Sequence, residues 1–279
     1  MKLVTKEPKI LQDGLNDCDN SDYHADRKYL SSSVLKAVYK SLDIYYNEYI
    51  LGNKREISTS TQSAFDLGSL VHSYILEPDK TLNDFAFFTG FRKAGKEYED
   101  FLAAQNTGKT VVSSAQKQQA EAMIESFKTC DAAKNLISNG FAEQTICGTL
   151  KGVPIKVRFD WINVEDGYIA DVKTTSYPSE KESFKMTVDG LMYHLSAALY
   201  CAMAEQYYGK KFDFYFIVLS KKDRTTDVFK MSEETMQAGI DVMNTALMKY
   251  KKAKEINVWT ELTEPAKVLK DVDYIIQEI

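Results

Sequence analysis

The sequence predicts an α/β protein, with its strands gathered between about residues 141 and 231 and helices before, between and after them. Two observations carry the sheet. Val153, Ile155, Val157, Phe159 and Trp161 alternate with Pro154, Lys156, Arg158, Asp160 and Ile162, the period-2 pattern of a strand with two different faces. An Asp-Gly turn signal follows within Asn163 to Gly167, and Tyr168 to Thr174 resumes as its partner. Phe212 to Leu219 is a continuous aromatic-rich run, which suits a strand buried on both faces. The third observation is a set of capped segments with apolar residues at three- and four-residue intervals, the helical period.

Taken in order, Met1 to Asp22 is polar and aperiodic and is expected to be a loose N-terminal arm. Ser31, Ser32 and Ser33 offer N-caps for a helix through Val34, Leu35, Val38, Leu42 and Tyr45, with Lys36 and Lys40 on one face. A polar loop from Gly52 to Thr61 contains Lys54 and Arg55. From Thr61 a second helix sets Phe65, Gly68, His72 and Ile75 on one stripe and stops at Glu77-Pro78. The stretch from Phe85 to Thr110 mixes aromatics with Arg92, Lys93, Lys96 and Lys109, either a phosphate-contacting loop or a solvated charge run. One helix is expected from Ser113 or Ser114 to Ile137, closed by Asn139-Gly140, and then a strand from Glu143 to Leu150. Beyond the hairpin, Pro178-Ser179-Glu180 starts a helical stretch that leads through Phe184 into a long helix, Leu191 to Tyr208. Thr225 to Met231 pairs back on the Phe212 strand, and Ser232 caps a last helix with the stripe Met236, Ile240, Met243, Leu247 and Tyr250. The lysines at its end suit the macrodipole and say little about DNA.

Composition narrows the classes. With 279 residues, 44% hydrophobic and 27% charged, the chain reads as one elaborated globular domain over 1–279, with no repeat or Pro/Gly-rich linker. A net charge of −5 gives no global attraction to nucleic acid, so any DNA contact must be local. Four scattered cysteines without a C-x-x-C pair suggest neither a zinc knuckle nor a disulfide framework. No signal peptide or spanning apolar run is evident, and the expectation is a soluble cytoplasmic protein with no membrane partner.

The chemistry concentrates on the hairpin. Asp171 and Lys173 are two residues apart and leave the same face of a strand, and Asp160 near the end of the preceding strand is placed to meet them. Two carboxylates and an ammonium suit a hydrolytic Mg²⁺ site, in which acids hold the cation and the lysine orients or deprotonates water. The competing reading is a cross-strand ion pair on a wet sheet face. His72 is a ligand or a hydrogen-bonded core histidine, and Glu143 a site carboxylate or an edge charge.

Together these segments resemble the PD-(D/E)XK nuclease superfamily, and within it the exodeoxyribonuclease VIII-like (RecE-type) group. The resemblance is carried by Tyr23-His24 with Leu30 to Ser33, Phe65 to His72 with Leu76-Glu77-Pro78, and Arg158-Phe159-Asp160. It continues through Asp171 to Thr175 and from Phe184 to Tyr200. It implies a central mixed β-sheet flanked by helices, with an N-terminal helical part. It also implies metal ligation by His72, Asp160, Asp171 and the Val172 carbonyl, Lys173 as catalytic lysine, and Glu143 as the acid of the preceding strand. Arg158, Thr174, Tyr193, Ser196 and Tyr200 are the implied substrate-binding residues. Two positions depart from the family pattern: Phe159 stands where a proline precedes the first acid, and Ser196 where a glutamine is usual. A hydroxyl reaches less far and offers fewer hydrogen bonds than a carboxamide.

The function so implied is a Mg²⁺-dependent exodeoxyribonuclease, Mn²⁺ substituting, that resects double-stranded DNA ends for recombination. By resemblance it would be phage-encoded, act in a bacterial cytoplasm beside a single-strand annealing protein, and form a homo-oligomer. A restriction-like or structure-specific endonuclease, and a non-cleaving recombination scaffold, are the alternatives on the same fold.

Overall fold

The computed structural model describes residues 8–53, 56–90, 92–105 and 108–260. The chain opens with a short strand β1 (Gly14–Asn16), a one-turn helix α1 (Asn20–Ala25), and helices α2 (Ser32–Lys40) and α3 (Leu42–Tyr45). Helix α4 (Thr59–Leu76) follows, capped by Ser58 Oγ, which accepts from the Thr61 N–H. Next come α5 (Thr81–Asp84), β2 (Phe85–Phe88), α6 (Lys96–Gln105), β3 (Thr110–Ser113), α7 (Ser114–Thr129) and α8 (Asp131–Leu136). Strands β4 (Phe141–Leu150), β5 (Val153–Asn163) and β6 (Tyr168–Thr175) form the predicted meander. Helices α9 (Lys181–Gly190) and α10 (Tyr193–Tyr208) cross over to β7 (Asp213–Ser220), and β8 (Thr226–Lys230) precedes α11 (Glu233–Ile256).

The main sheet has the order β1-β4-β5-β6-β7-β8. Every neighbouring pair is antiparallel except β6 and β7, which the helical crossover makes parallel. Alternation along the strands divides the core into two layers. Ile169, Phe214, Phe216 and Val218 point to the side covered by α2, α10 and α11. Ala170, Val172, Ile217 and Leu219 point to the side covered by α4 and α7. From Phe214 to Leu219 the run is apolar and aromatic because both of its faces are roofed by helices.

Five expectations change, the first being the helix expected from the serine cluster through Tyr45, which is two, α2 and α3, because Ser41 adopts extended angles and caps the second. The lead-in is fastened rather than loose across residues 8–22: Leu11 is buried, β1 pairs with β4, and the Lys9 N–H donates to Asp22 Oδ1 at 2.8 Å. Its anchors are hydrogen bonds, which leave no apolar period to read. The 85–113 region contains a parallel pair, β2 with β3, around α6. The helix expected over 114–137 is two, because Cys130 adopts extended angles (φ −93°, ψ 97°). The helical stretch from Pro178 to Tyr208 is likewise interrupted, by Met192 in the left-handed region (φ 52°). Lys54 and Arg55, residues 1–7 of the arm, and residues 261–279 lie outside the described residues.

Candidate active site

The site forms where two strands part company. β5 and β6 are paired only at Trp161–Ala170, Ile162–Ile169 and Asn163–Tyr168, next to their turn. One step further the ladder opens, and the Val172 N–H donates instead to Asp160 Oδ2 at 2.8 Å. An unmet buried N–H would be costly, so this bond both satisfies β6 and pins the Asp160 carboxylate at the fork. Asp171 and Lys173 project from β6 at the same level and form an ion pair. Lys173 Nζ also lies 3.3 Å from the Val172 carbonyl oxygen.

Two further elements bring side chains to the fork. His72 comes from α4, its Nδ1 3.5 Å from Asp160 Oδ2. The helix approaches β6 closely at Gly68, where a β-carbon would lie 3.4 Å from Thr174 Oγ1. Neither His72 nor Phe65 belongs to the α4 core stripe, which is Leu67, Leu70, Val71 and Ile75; Phe65 is exposed. Glu143 comes from β4, across from Asp160 between the pairs Ala142–Trp161 and Gln144–Phe159. Its φ of 51° is left-handed, a conformation costing a non-glycine residue about 1–2 kcal/mol. Ligand atoms of His72, Glu143 and Asp160 all lie within 4.8 Å of one another.

The electrostatics of this cluster suit a divalent cation. Burial, and then the neighbouring Asp160 charge, push the Glu143 carboxyl up to about 8. Burial likewise raises Asp171, against the opposing pull of Lys173 and with help from Asp160. Lys173 stays above the ordinary lysine range: burial disfavours its charge, but Asp171 and then Asp160 outweigh that. Asp171 Oδ2 is buried and, apart from the ammonium beside it, has no aligned hydrogen-bond donor. One imidazole and three crowded carboxylates, one with an unsatisfied oxygen, are a donor set that fits Mg²⁺ or Mn²⁺.

The remaining expected residues divide. Tyr193 stands beside the ion pair, with Lys173 Nζ 5.3 Å from its ring centroid. Tyr200 packs edge-on against Phe159 at 5.8 Å and is held above the usual tyrosine range by burial and by Asp171 and Asp160. Ser196 is half-buried between them on α10. Arg158 points at the N-terminal segment instead. It donates to Thr145 Oγ1 (3.1 Å), Asn20 Oδ1 (3.2 Å) and the carbonyls of Cys18 (2.8 Å) and Asp19 (2.9 Å), and lies 3.7 Å from Glu143. Two cations of the suggested phosphate loop also have internal partners: Lys93 donates to the Val111 carbonyl at 2.6 Å and Lys109 to that of Leu82 at 2.8 Å.

A cleft of about 1240 Å³ runs from the fork between the N-terminal segment and the α4–β2 region. His72, Glu143, Asp160 and Tyr200 are among its lining residues, and its charged walls mix Asp17, Asp19, Glu77 and Asp84 with Lys80, Lys109 and Arg158. The N-terminal segment is a wall that the sequence did not disclose. Lys156 on β5 fastens it, donating to the Asp26 carbonyl at 2.9 Å and pairing with the Asp26 carboxylate at 3.5 Å.

A sheet opened at D…D-x-K, with a histidine and a glutamate converging from flanking elements, defines a protein of the PD-(D/E)XK nuclease superfamily. The chain belongs to the family described as PDDEXK-like domain of unknown function (DUF3799), whose model matches residues 31–271. A solved structure from Eubacterium rectale, described as a candidate exonuclease, has the same fold: TM-score 0.62 and 17% identity over 86% of this chain and 88% of that one. No curated protein matches the sequence. Among the described residues no helix is long and apolar enough to cross a membrane.

Proposed function

We propose that this chain is a divalent-metal-dependent deoxyribonuclease of RecE type, an exonuclease that resects double-stranded DNA ends for recombination. The observation that carries the reading is the convergence of His72, Glu143 and Asp160 within 4.8 Å at the point where the β5–β6 ladder opens beside Asp171 and Lys173. A structural ion pair on a wet sheet face would need neither the fork nor the buried carboxylates. His72, Asp160, Asp171 and the Val172 carbonyl would hold the cation, with Glu143 as a further carboxylate. When bound, it would supply Lewis-acid stabilisation of the phosphate charge and make water a better nucleophile.

The chain's own groups do the rest. Lys173, kept charged by Asp171, orients water for in-line attack and offsets negative charge growing on the phosphate oxygens. Tyr193 and Tyr200 border the reacting phosphate on the α10 side, while Thr174 and Ser196 offer hydroxyls at its margin. Arg158 acts on substrate only indirectly, by holding the cleft wall. A homo-oligomer, a single-strand annealing partner and a bacterial cytoplasmic setting are part of the same reading.

The test is end-labelled linear duplex compared with a covalently closed circle, each with Mg²⁺, Mn²⁺ or EDTA. Shortening of the linear DNA from its ends, with the circle untouched and EDTA inhibiting, is expected. Cutting of the circle would replace the exonuclease reading by an endonuclease. Absence of cleavage with either metal would favour a scaffold.

A further inference from the structure

The described part of the molecule holds one half-buried cation beside the site that the reading above does not use. Lys36 lies on α2, and its Nζ is 5.1 Å from the ring centroid of Tyr193, the ring that Lys173 also overlies at 5.3 Å. Ser32, one turn earlier on the same face, lies beside Tyr200. Two residues four apart on α2 thus meet two residues seven apart on α10, which lays that face of α2 along the site.

Within the described residues Lys36 has no ion pair and no hydrogen bond, and its contact is the face of Tyr193. Burial, and then the like charge of Lys173, bring its ammonium down to about 8; Asp171 opposes this and Lys40 adds to it. Beyond the Tyr193 ring and the partial pull of Asp171, such an ammonium gains most from a negative group arriving from outside. Lys173 cannot share its counter-ion, because Asp171 is buried against it. Neither Lys36 nor Lys173 lines the cleft, whose lining includes Asp160 and Tyr200, and Lys36 shares the Tyr193 ring with Lys173.

We infer that Lys36 is a substrate-positioning residue whose ammonium takes a non-bridging oxygen of a DNA phosphate next to the one being cleaved. This rests on the nuclease reading. Binding, rather than cleavage, tests it: anisotropy of a labelled duplex, in EDTA and again with Ca²⁺, over a series of NaCl concentrations. Lys36→Gln should weaken binding about tenfold, the loss of one charged hydrogen bond. It should also reduce the slope of log K against log salt by about one. Lys36→Arg should restore the slope, and melting temperature should not fall in Lys36→Gln, since a like charge is removed from beside Lys173.

If Lys36→Gln does not fold, Lys36→Met, which keeps the apolar stem over Tyr193, decides by the same slope. A wild-type slope in the charge-free variant overturns the inference while leaving the nuclease reading intact, and a lowered melting temperature with that slope would make Lys36 a purely structural residue. A wild-type chain that binds duplex in neither medium overturns both.

Discussion

Replacing Gly239 by alanine sets two physical effects of opposite sign against each other. Gly239 lies inside α11, where alanine should help by about 1 kcal/mol through helix propensity. Its missing side chain, however, is where α11 meets the backbone of α10. A β-carbon there would lie 2.2 Å from the carbonyl oxygen and 2.6 Å from the carbonyl carbon of His194. Backbone atoms cannot rotate aside, so the helices must separate by roughly 1 Å, the gap between that approach and ordinary contact. Leu195, Leu199, Met243 and Leu247 then lose close packing, and overpacking against unyielding backbone belongs in the upper part of the usual range, about 2–3 kcal/mol. The net expectation is a loss of about 1–2 kcal/mol after the propensity gain. In a chain of this size that lowers the melting temperature by roughly 2–6 °C. Because α10 carries Tyr193 and Tyr200, cleavage should also slow. Gly190 is the control: a β-carbon there meets nothing within 4 Å, so Gly190→Ala should melt at or slightly above wild type. Thermal melts of the three proteins suffice. A Gly239→Ala protein as stable as wild type would refute the close-approach argument.

Three further outcomes follow from the site. Lys173→Ala should keep DNA affinity within a few-fold while single-turnover cleavage falls by at least about a hundredfold, read in a quench assay. Mg²⁺ or Mn²⁺ should raise the melting temperature of the wild type by mass action, and His72→Ala should shrink that rise for both metals. Glu143 faces Asp160, Arg158, Glu77 and Lys80, and its folded-state value is raised to about 8. The stability this contributes is present below the ordinary glutamate value and lost as pH rises through about 8, so in EDTA the wild type should lose stability relative to Glu143→Gln across that window. Parallel melting curves at every pH would refute the burial of that carboxylate.

What the sequence disclosed follows from how each feature is encoded. The β4–β6 meander and β7 were legible because a sheet covered on one or both faces writes its burial into alternation or into unbroken apolar runs. That Asp171 and Lys173 share one side of β6 was legible because a two-residue spacing fixes a common side of a strand, and Asp160 lies across from them on β5. The opening of the ladder was not legible, since it depends on a side chain replacing a backbone partner at Val172. Glu143 was left between two readings because its left-handed backbone, which no residue pattern signals, turns it to the fork. Arg158 was implied as substrate-binding by the resemblance, and its hydrogen bonds to residues about 140 positions earlier in the chain were not legible. Pairings over that separation have no local signature.

That separation also dictates an order of events. The N-terminal segment is made well over a hundred residues before its fasteners, Lys156 and Arg158 on β5. Until β4 and β5 have emerged, residues 14–26 lack these partners, and the contacts they finally make are among the most non-local in the fold. The strand that closes the cleft wall is the same strand that delivers Asp160. A growing chain therefore cannot display a finished cleft wall before Asp160 has been made.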